Sequence, residues 1–388
     1  MLHSRNNLSP ATAIRRAGTA LFAGVLALTC APCIGQTAPV QDLSLQPALP
    51  PLGIAAAPVH WSAHWITAPD AVFGENLMML ARRSFQLPRL PERAILHVTA
   101  DTRYQLFING TFVQRGPARS AAHHQSYDVI DIVRFLRPGG NLLAIRFHHT
   151  GIAQPYHSVT RPGLLAQIEM SIGNDSTKLG TDRQWKVLRD PSWDTGSPRL
   201  NRWHDAYLDI VDLRKALDTW MMPDFDDSAW PAAVSIIPGG VSPATEQRAL
   251  GELWWPPPQP DYVPQAITPP WVELVARDLP SLTETIEKAS QIVMRGALDD
   301  PAALRLPKAE DSASYRFDHL TLLKLPTIHM QRSDDAGMAD LHAYREGKAP
   351  ITLQESPGRS PYLLFDLGSV HNAHPRLDIE GPAGAIVD

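Results

Sequence analysis

Four short segments of the chain alternate in polarity with a period of two: Ile95 to Ala100 (ILHVTA), Tyr104 to Ile108 (YQLFI), Leu142 to Phe147 (LLAIRF) and Leu164 to Met170 (LLAQIEM). Alternation of this kind sends successive side chains to opposite faces of a sheet, whereas a helix would need a period of 3.6. The breaks between the segments are turn chemistry. Asn109-Gly110 follows YQLFI, and both residues tolerate the positive φ of a two-residue type I′ hairpin. Pro138-Gly139-Gly140-Asn141 forms a second turn, and Asp131 is placed to cap one helical turn over Ile132 to Leu136. The 36 prolines and 24 glycines fit many short elements and exclude long helical heptads. The expectation is an all-β chain built on an antiparallel β-sandwich.

The N-terminus is of another kind. A basic region ends at Arg15-Arg16, an apolar run follows from Ala17 to Leu28, and small and polar residues continue to Gly35. This is the layout of an export signal, and its apolar run falls short of the ~20 residues that cross a bilayer. Cleavage after Gly35 would remove Cys30 and Cys33, the only two cysteines, leaving a secreted or periplasmic chain without disulfides. The formal charge of −5 grows more negative when Arg5, Arg15 and Arg16 leave, so nothing basic remains to attract nucleic acid or an anionic membrane.

Further along, residues 36–58 are Pro- and Ala-rich and read as a linker. Residues 59–250 carry the alternating segments and form the expected sandwich. Trp254 to Pro264 (WWPPPQPDYVP) cannot be a central strand, because proline supplies no ladder donor, so 251–290 reads as a Pro-rich linker with a short helix over Leu282 to Ile292. Alternation returns in Tyr362 to Phe365 and Pro375 to Glu380, giving 291–388 as the start of a second, incomplete sandwich.

Several residue groups carry two readings. Asp224, Asp226 and Asp227 could ligate Ca²⁺ or cap a turn above Trp230. His123, His124, His148, His149 and His157 could converge at a sandwich edge, yet their spacing matches no metal motif. Trp61, Trp65, Trp185, Trp193 and Trp203 could offer aromatic faces to a sugar or fill the core. Asp101, Arg103 and Arg115 flank the Asn-Gly hairpin and are the candidate carbohydrate-binding residues, against the plainer reading of surface ion pairs. No GxSxG elbow occurs, which excludes a serine hydrolase of that type.

Taken in order, four runs resemble the N-terminal region of the α-L-rhamnosidases of glycoside hydrolase family 78. They are Arg82 to Leu87 with TADTRYQLFINGTFVQRGPARS, YDVIDIVRFLRPGGNLLAIRFHHTG from Tyr127 to Gly151, WMMPDFDDSAWPAA from Trp220 to Ala233, and YLLFDLGSVHNAHPRLDIEGPAGAIVD from Tyr362 onward. The first three also occur in sandwich domains of β-galactosidase-like enzymes. The resemblance implies a galactose-binding-like sandwich (jelly roll), a rhamnose-containing glycan as partner, and catalysis by acidic residues of a helical barrel that follows this region. An inverting glycosidase needs two carboxylates roughly 6.5–9.5 Å apart, and no pair here maps to those roles. The chain is therefore expected to be inactive alone, with no catalytic residue, metal ligand or cofactor nominated. A free-standing carbohydrate-binding or scaffolding module is the alternative.

Overall fold

The computed structural model describes residues 59–72, 74–121, 124–151, 161–197, 207–239, 271, 273–281, 284–289, 291–298, 351–353, 360–371 and 373–382, all within the compact unit Leu43–Asp388. The expected export signal, the 36–58 linker, the WWPPPQP stretch, His123, His157 and Trp203 lie outside the described residues.

Fourteen strands are described. The first eleven are β1 (His64–Thr67), β2 (Leu77–Leu87), β3 (Arg93–Asp101), β4 (Arg103–Ile108), β5 (Thr111–Gly116), β6 (His124–Asp131), β7 (Gly139–His149), β8 (Gly163–Ile172), β9 (Asp175–Gly180), β10 (Lys186–Arg189) and β11 (Val234–Pro238). They are followed by β12 (Glu273–Ala276), β13 (Gln291–Leu298) and β14 (Ser360–Asp366). One sheet runs β11-β1-β8-β3-β6-β12, with β9 also on β8; a second runs β10-β2-β7-β4-β5. All four alternating segments fall inside strands. Asn109 and Gly110 have φ of 52° and 84° between β4 and β5, as the hairpin reading requires. The single turn after β6 is a 3₁₀ turn, Val133–Phe135, whose first amide donates to the Asp131 carboxylate at 3.0 Å.

The two sheets face each other across one apolar core. Met79 and Ala81 of β2, Leu96 and Val98 of β3, Leu106 and Ile108 of β4, Ile145 and Phe147 of β7 and Ile168 of β8 all point into it. Alternation alone would leave the outer faces wet, yet every β3 residue after Arg93 is buried. Additional chain covers both outer faces. Over the five-stranded sheet lies the WMMPDFDDSAW segment, with Trp220 and Trp230 packed on Leu80, Leu142 and Ala144. Arg82 of β2, fully buried, anchors it: Nε donates to Asp227 at 2.7 Å, and the guanidinium also donates to the Trp220, Met222 and Phe225 carbonyls. Asp226 accepts from the Ser228 amide at 2.9 Å, which holds its carboxyl below the usual range. These contacts employ Asp226 and Asp227 in shaping the turn. Among the described residues no group of three or more His, Cys, Asp or Glu is arranged to hold a metal ion.

The outer face of the larger sheet is covered from both ends of the sequence. The leg before β1 is held by the Gln167 carboxamide, whose oxygen accepts from the Ser62 and Ala63 amides at 2.7 and 3.2 Å and whose nitrogen donates to the His60 carbonyl at 3.0 Å. From the other end, Trp271 stacks on Trp65 with ring centres 3.9 Å apart. A Cβ on Gly163 would come within 2.8 Å of both indoles, so glycine is what lets β8 pass under the stack.

This last contact corrects the reading of 251–290 as a linker with a short helix. Glu273–Ala276 is β12, pairing parallel to β6 from Glu273↔His124 to Ala276↔Tyr127. Arg277 donates to buried Asp128 at 2.9 Å, and Glu284 accepts two bonds from Arg115. Residues 284–289 have no regular structure and Gln291–Leu298 is a strand, so none of the described residues within 282–292 is helical. The weak helical pattern loses to pairing with β14, in register from Gln291↔Asp366 to Leu298↔Ser360. The expected strand at Pro375 to Glu380 is irregular and exposed, and no strand among the described residues pairs with it. Among the described residues no helix is long and apolar enough to cross a membrane.

Candidate functional site

The three residues nominated from the sequence occupy two places. Asp101 ends β3 and Arg103 begins β4, at the end of the sandwich where β7 finishes with His148 and His149. In the β4–β7 register Arg103 lies opposite His148, and its Nη2 lies 3.3 Å from His148 Nδ1. Asp101 is fully buried and lies 3.0 Å from His149 Nδ1. Arg115, on β5, instead makes its bidentate pair with Glu284 at 2.7 and 3.0 Å, its guanidinium 5.1 Å from the Phe112 ring. Asp101 and Arg103 therefore share one polar cluster, while Arg115 fastens the segment after β12.

The cluster centres on Asn76, which sequence reasoning did not single out. Asn76 has φ of 51°, a conformation that asparagine tolerates better than most residues. Its side-chain nitrogen donates to Ser197 Oγ at 2.9 Å and to the Asp194 carbonyl at 3.2 Å. Its side-chain oxygen accepts from Trp193 Nε1 at 3.1 Å and meets His148 Nε2 at 2.9 Å. Burial, then the charges of Arg103, His149 and Arg146, push the His148 imidazole down to about 3. A neutral ring with an acceptor at Nε2 and a cation at Nδ1 fixes its tautomer: Nε2–H donates to Asn76, and Nδ1 accepts from Arg103. The local signal available was the pair of consecutive histidines ending a strand; nothing nearby in sequence announces Asn76, 72 residues away.

A second buried network joins β4, β6 and the segment after β12. The Tyr104 hydroxyl donates to Asp128, whose other oxygen takes the Arg277 bond. Burial raises both groups, Tyr104 well above the ordinary phenol range and Asp128 above the carboxylate range, the bonds from Tyr104 and Arg277 acting against burial at Asp128. Gly116 backs onto Asp128 so closely that a Cβ there would overlap its carboxylate.

Of the nominated histidines that are described, His148 and His149 are neighbours at the end of β7 and His124 lies apart from them. His124 sits at the exposed start of β6, 2.9 Å from Glu273, apart from the His148 network in its bonding. Of the tryptophans, Trp65 and Trp185 are fully buried. Trp193 commits its N–H to Asn76 and its ring to His148, 5.6 Å away. Trp61 is only partly covered.

Residues 89–249 match the family model described as the α-L-rhamnosidase N-terminal domain. An α-L-rhamnosidase of Streptomyces avermitilis is 30% identical over 165 residues, 39% of this chain and 15% of that protein. One from Alteromonas sp. (strain LOR) is 24% identical over 269 residues, 61% of this chain and 27% of that protein. The crystal structure of a family 78 rhamnosidase of Bacillus sp. GL1 superposes with a TM-score of 0.52 at 32% identity, covering 63% of this chain and 22% of that one. The chain thus spans well under a third of the length of each. The matched region contains most strands of both sheets together with the WMMPDFDDSAW segment, so residues 89–249 are similar, in sequence and in strand content, to the N-terminal domain of α-L-rhamnosidases.

Proposed function

We infer that the chain is the accessory, carbohydrate-associated β-sandwich region of an exported α-L-rhamnosidase, and that the whole enzyme removes terminal α-L-rhamnose from plant glycosides or polysaccharides. The match of residues 89–249 to the rhamnosidase N-terminal domain carries this reading. Export rests on the Arg15-Arg16 region and the Ala17 to Leu28 run. The accessory role rests on the chemistry present: Asp131, Asp226 and Asp227 are tied into caps and an ion pair, and Asp101 and Asp128 are buried. An inverting or retaining pair of carboxylates must instead flank an open sugar site. Purified chain, free of host glycosidases, is expected to release no nitrophenol from nitrophenyl α-L-rhamnoside. Release that rises in proportion to the chain's concentration would overturn the accessory role.

A further inference from the structure

We propose that residues 277–289 form a strap fastened to the sandwich by charge pairs, with Arg277 as its hinge and Arg115–Glu284 as its buckle. Ionic strength then sets whether the chain after β12 is bound to the sandwich or free of it. The late segment is held differently at its two ends. At the front, Trp271 is fully buried on Trp65, and Leu274 packs against the same apolar cluster. Pairing with β6 runs as far as Ala276↔Tyr127, and the Arg277 amide donates to the Tyr127 carbonyl at 2.8 Å. Beyond that point the described residues up to 289 have no regular structure, and the apolar side chains of Leu279 and Ile286 are 59% and 55% exposed. Apolar burial therefore anchors the front of the segment and not the back.

What holds the back is charge. Arg277 pairs with Asp128 of β6, the two side chains being 13% and 2% exposed. The same guanidinium donates to the Leu279 and Pro280 carbonyls at 3.0 and 3.2 Å, so the chain curls around its own hinge. Further on, Glu284 takes both bonds of Arg115, which stands on β5, the edge strand of the smaller sheet. The strap thus starts on one sheet and is fastened to the other. Arg115 and Glu284 are 30% and 28% exposed, open enough for dissolved ions to reach them, whereas the Asp128 pair is shielded. Solvent-accessible ion pairs are worth little and are weakened as the Debye length shrinks from ~10 Å at 0.1 M salt to ~3 Å at 1 M. Salt therefore undoes the buckle and spares the hinge. Contact with the Phe112 ring, 5.1 Å from the Arg115 guanidinium, keeps the arginine in place for the strap to return.

The test is digestion of the full chain by a lysine-specific protease, which cuts after Lys288, an exposed residue of the strap, and leaves arginines alone. Mass spectrometry reads the rate of that cut relative to a free peptide of residues 284–292 in the same tube, so effects of salt on the protease cancel. When refastening outpaces cleavage, this ratio follows the open fraction. It is expected to rise about threefold or more between about 0.02 M and about 0.5 M sodium chloride. Glu284→Gln should be cut fast at both, and the exchanged pair, Arg115→Glu with Glu284→Arg, slowly again at low salt. Arg214→Gln, which breaks an exposed pair with Asp212 elsewhere, should leave the ratio unchanged. Thermal melts establish that each variant is folded; should the exchanged pair fail to fold, the salt series and Glu284→Gln carry the test. A ratio independent of salt in the unaltered chain overturns the strap, as does a Glu284→Gln chain cut no faster than the unaltered one. A folded exchanged pair cut as fast as Glu284→Gln overturns the buckle in the same way. The inference does not rest on the accessory role above, and none of these outcomes bears on it.

Discussion

His148 shows how a single buried ring sets a pH limit. Its imidazole is held neutral down to about pH 3, while in the unfolded chain it takes up a proton near 6.5. The folded value lies below the unfolded one, so its contribution to stability is complete above pH 6.5 and is lost as pH falls from there towards 3. The steepest loss is about 1.4 kcal/mol per pH unit. Denaturant unfolding at pH 7, 5 and 4 is expected to give a shallower decline for His148→Gln than for the unaltered chain, and equal slopes would refute the burial argument. Gly163 offers a purely steric case. Its missing Cβ leaves room for two indoles, and Gly163→Ala is expected to cost about 1–3 kcal/mol, the range for overpacking a filled core, measured by the same unfolding curves. Neither effect was visible in the sequence, because both depend on partners far along the chain: Asn76 for His148, Trp65 and Trp271 for Gly163. Asp131 was legible for the opposite reason, its partner being the amide two residues on.

Among the elements, those specified by neighbouring residues were readable. The Asn109-Gly110 hairpin and the strands of the four alternating segments follow from local backbone preference and a period of two. β12 was not readable. It has four residues, follows a proline-rich stretch and shows no long alternation, so its identity as a strand comes from its partner β6 and not from its own composition. The same holds for β13, where a weak helical pattern yields to pairing with β14. These late contacts make a prediction about domain limits. A chain ending at residue 250 would lack Trp271, β12 and Arg277, exposing Trp65 and Leu165 and leaving the Asp128 carboxylate buried without its cation. Loss of such a partner costs about 3–5 kcal/mol. Residues 59–290 are expected to resist limited proteolysis and to unfold cooperatively, whereas 59–250 should be digested under the same conditions. Equal resistance would return the boundary to the proline-rich stretch.

At the scale of the molecule, the sandwich architecture was legible and the covering of its outer faces was not. Alternation predicts two sheets with a wet side each. The WMMPDFDDSAW segment on one sheet, and the leg before β1 with Trp271 on the other, change that outcome through contacts such as Arg82–Asp227, 145 residues apart. The candidate site divided in the same way: Asp101 and Arg103 were drawn into one cluster and Arg115 into another.

The Trp65–Trp271 stack and the β6–β12 pairing also bear on the order in which the domain can assemble. Residues from the two extremes of the sandwich must meet before its larger sheet is closed, and Asp128 and Arg277 are 149 residues apart. Topologies dominated by such distant pairings fold slowly, roughly in milliseconds to seconds, because the entropy of closing a long loop is spent before its contacts form. A ribosome or a translocation pore releasing this chain N-terminus first would have to deliver residue 277 before the last strand of that sheet could seat. Until then the surface awaiting Trp271 stays open, so this domain remains threadable until residue 277 has emerged and closes only afterwards.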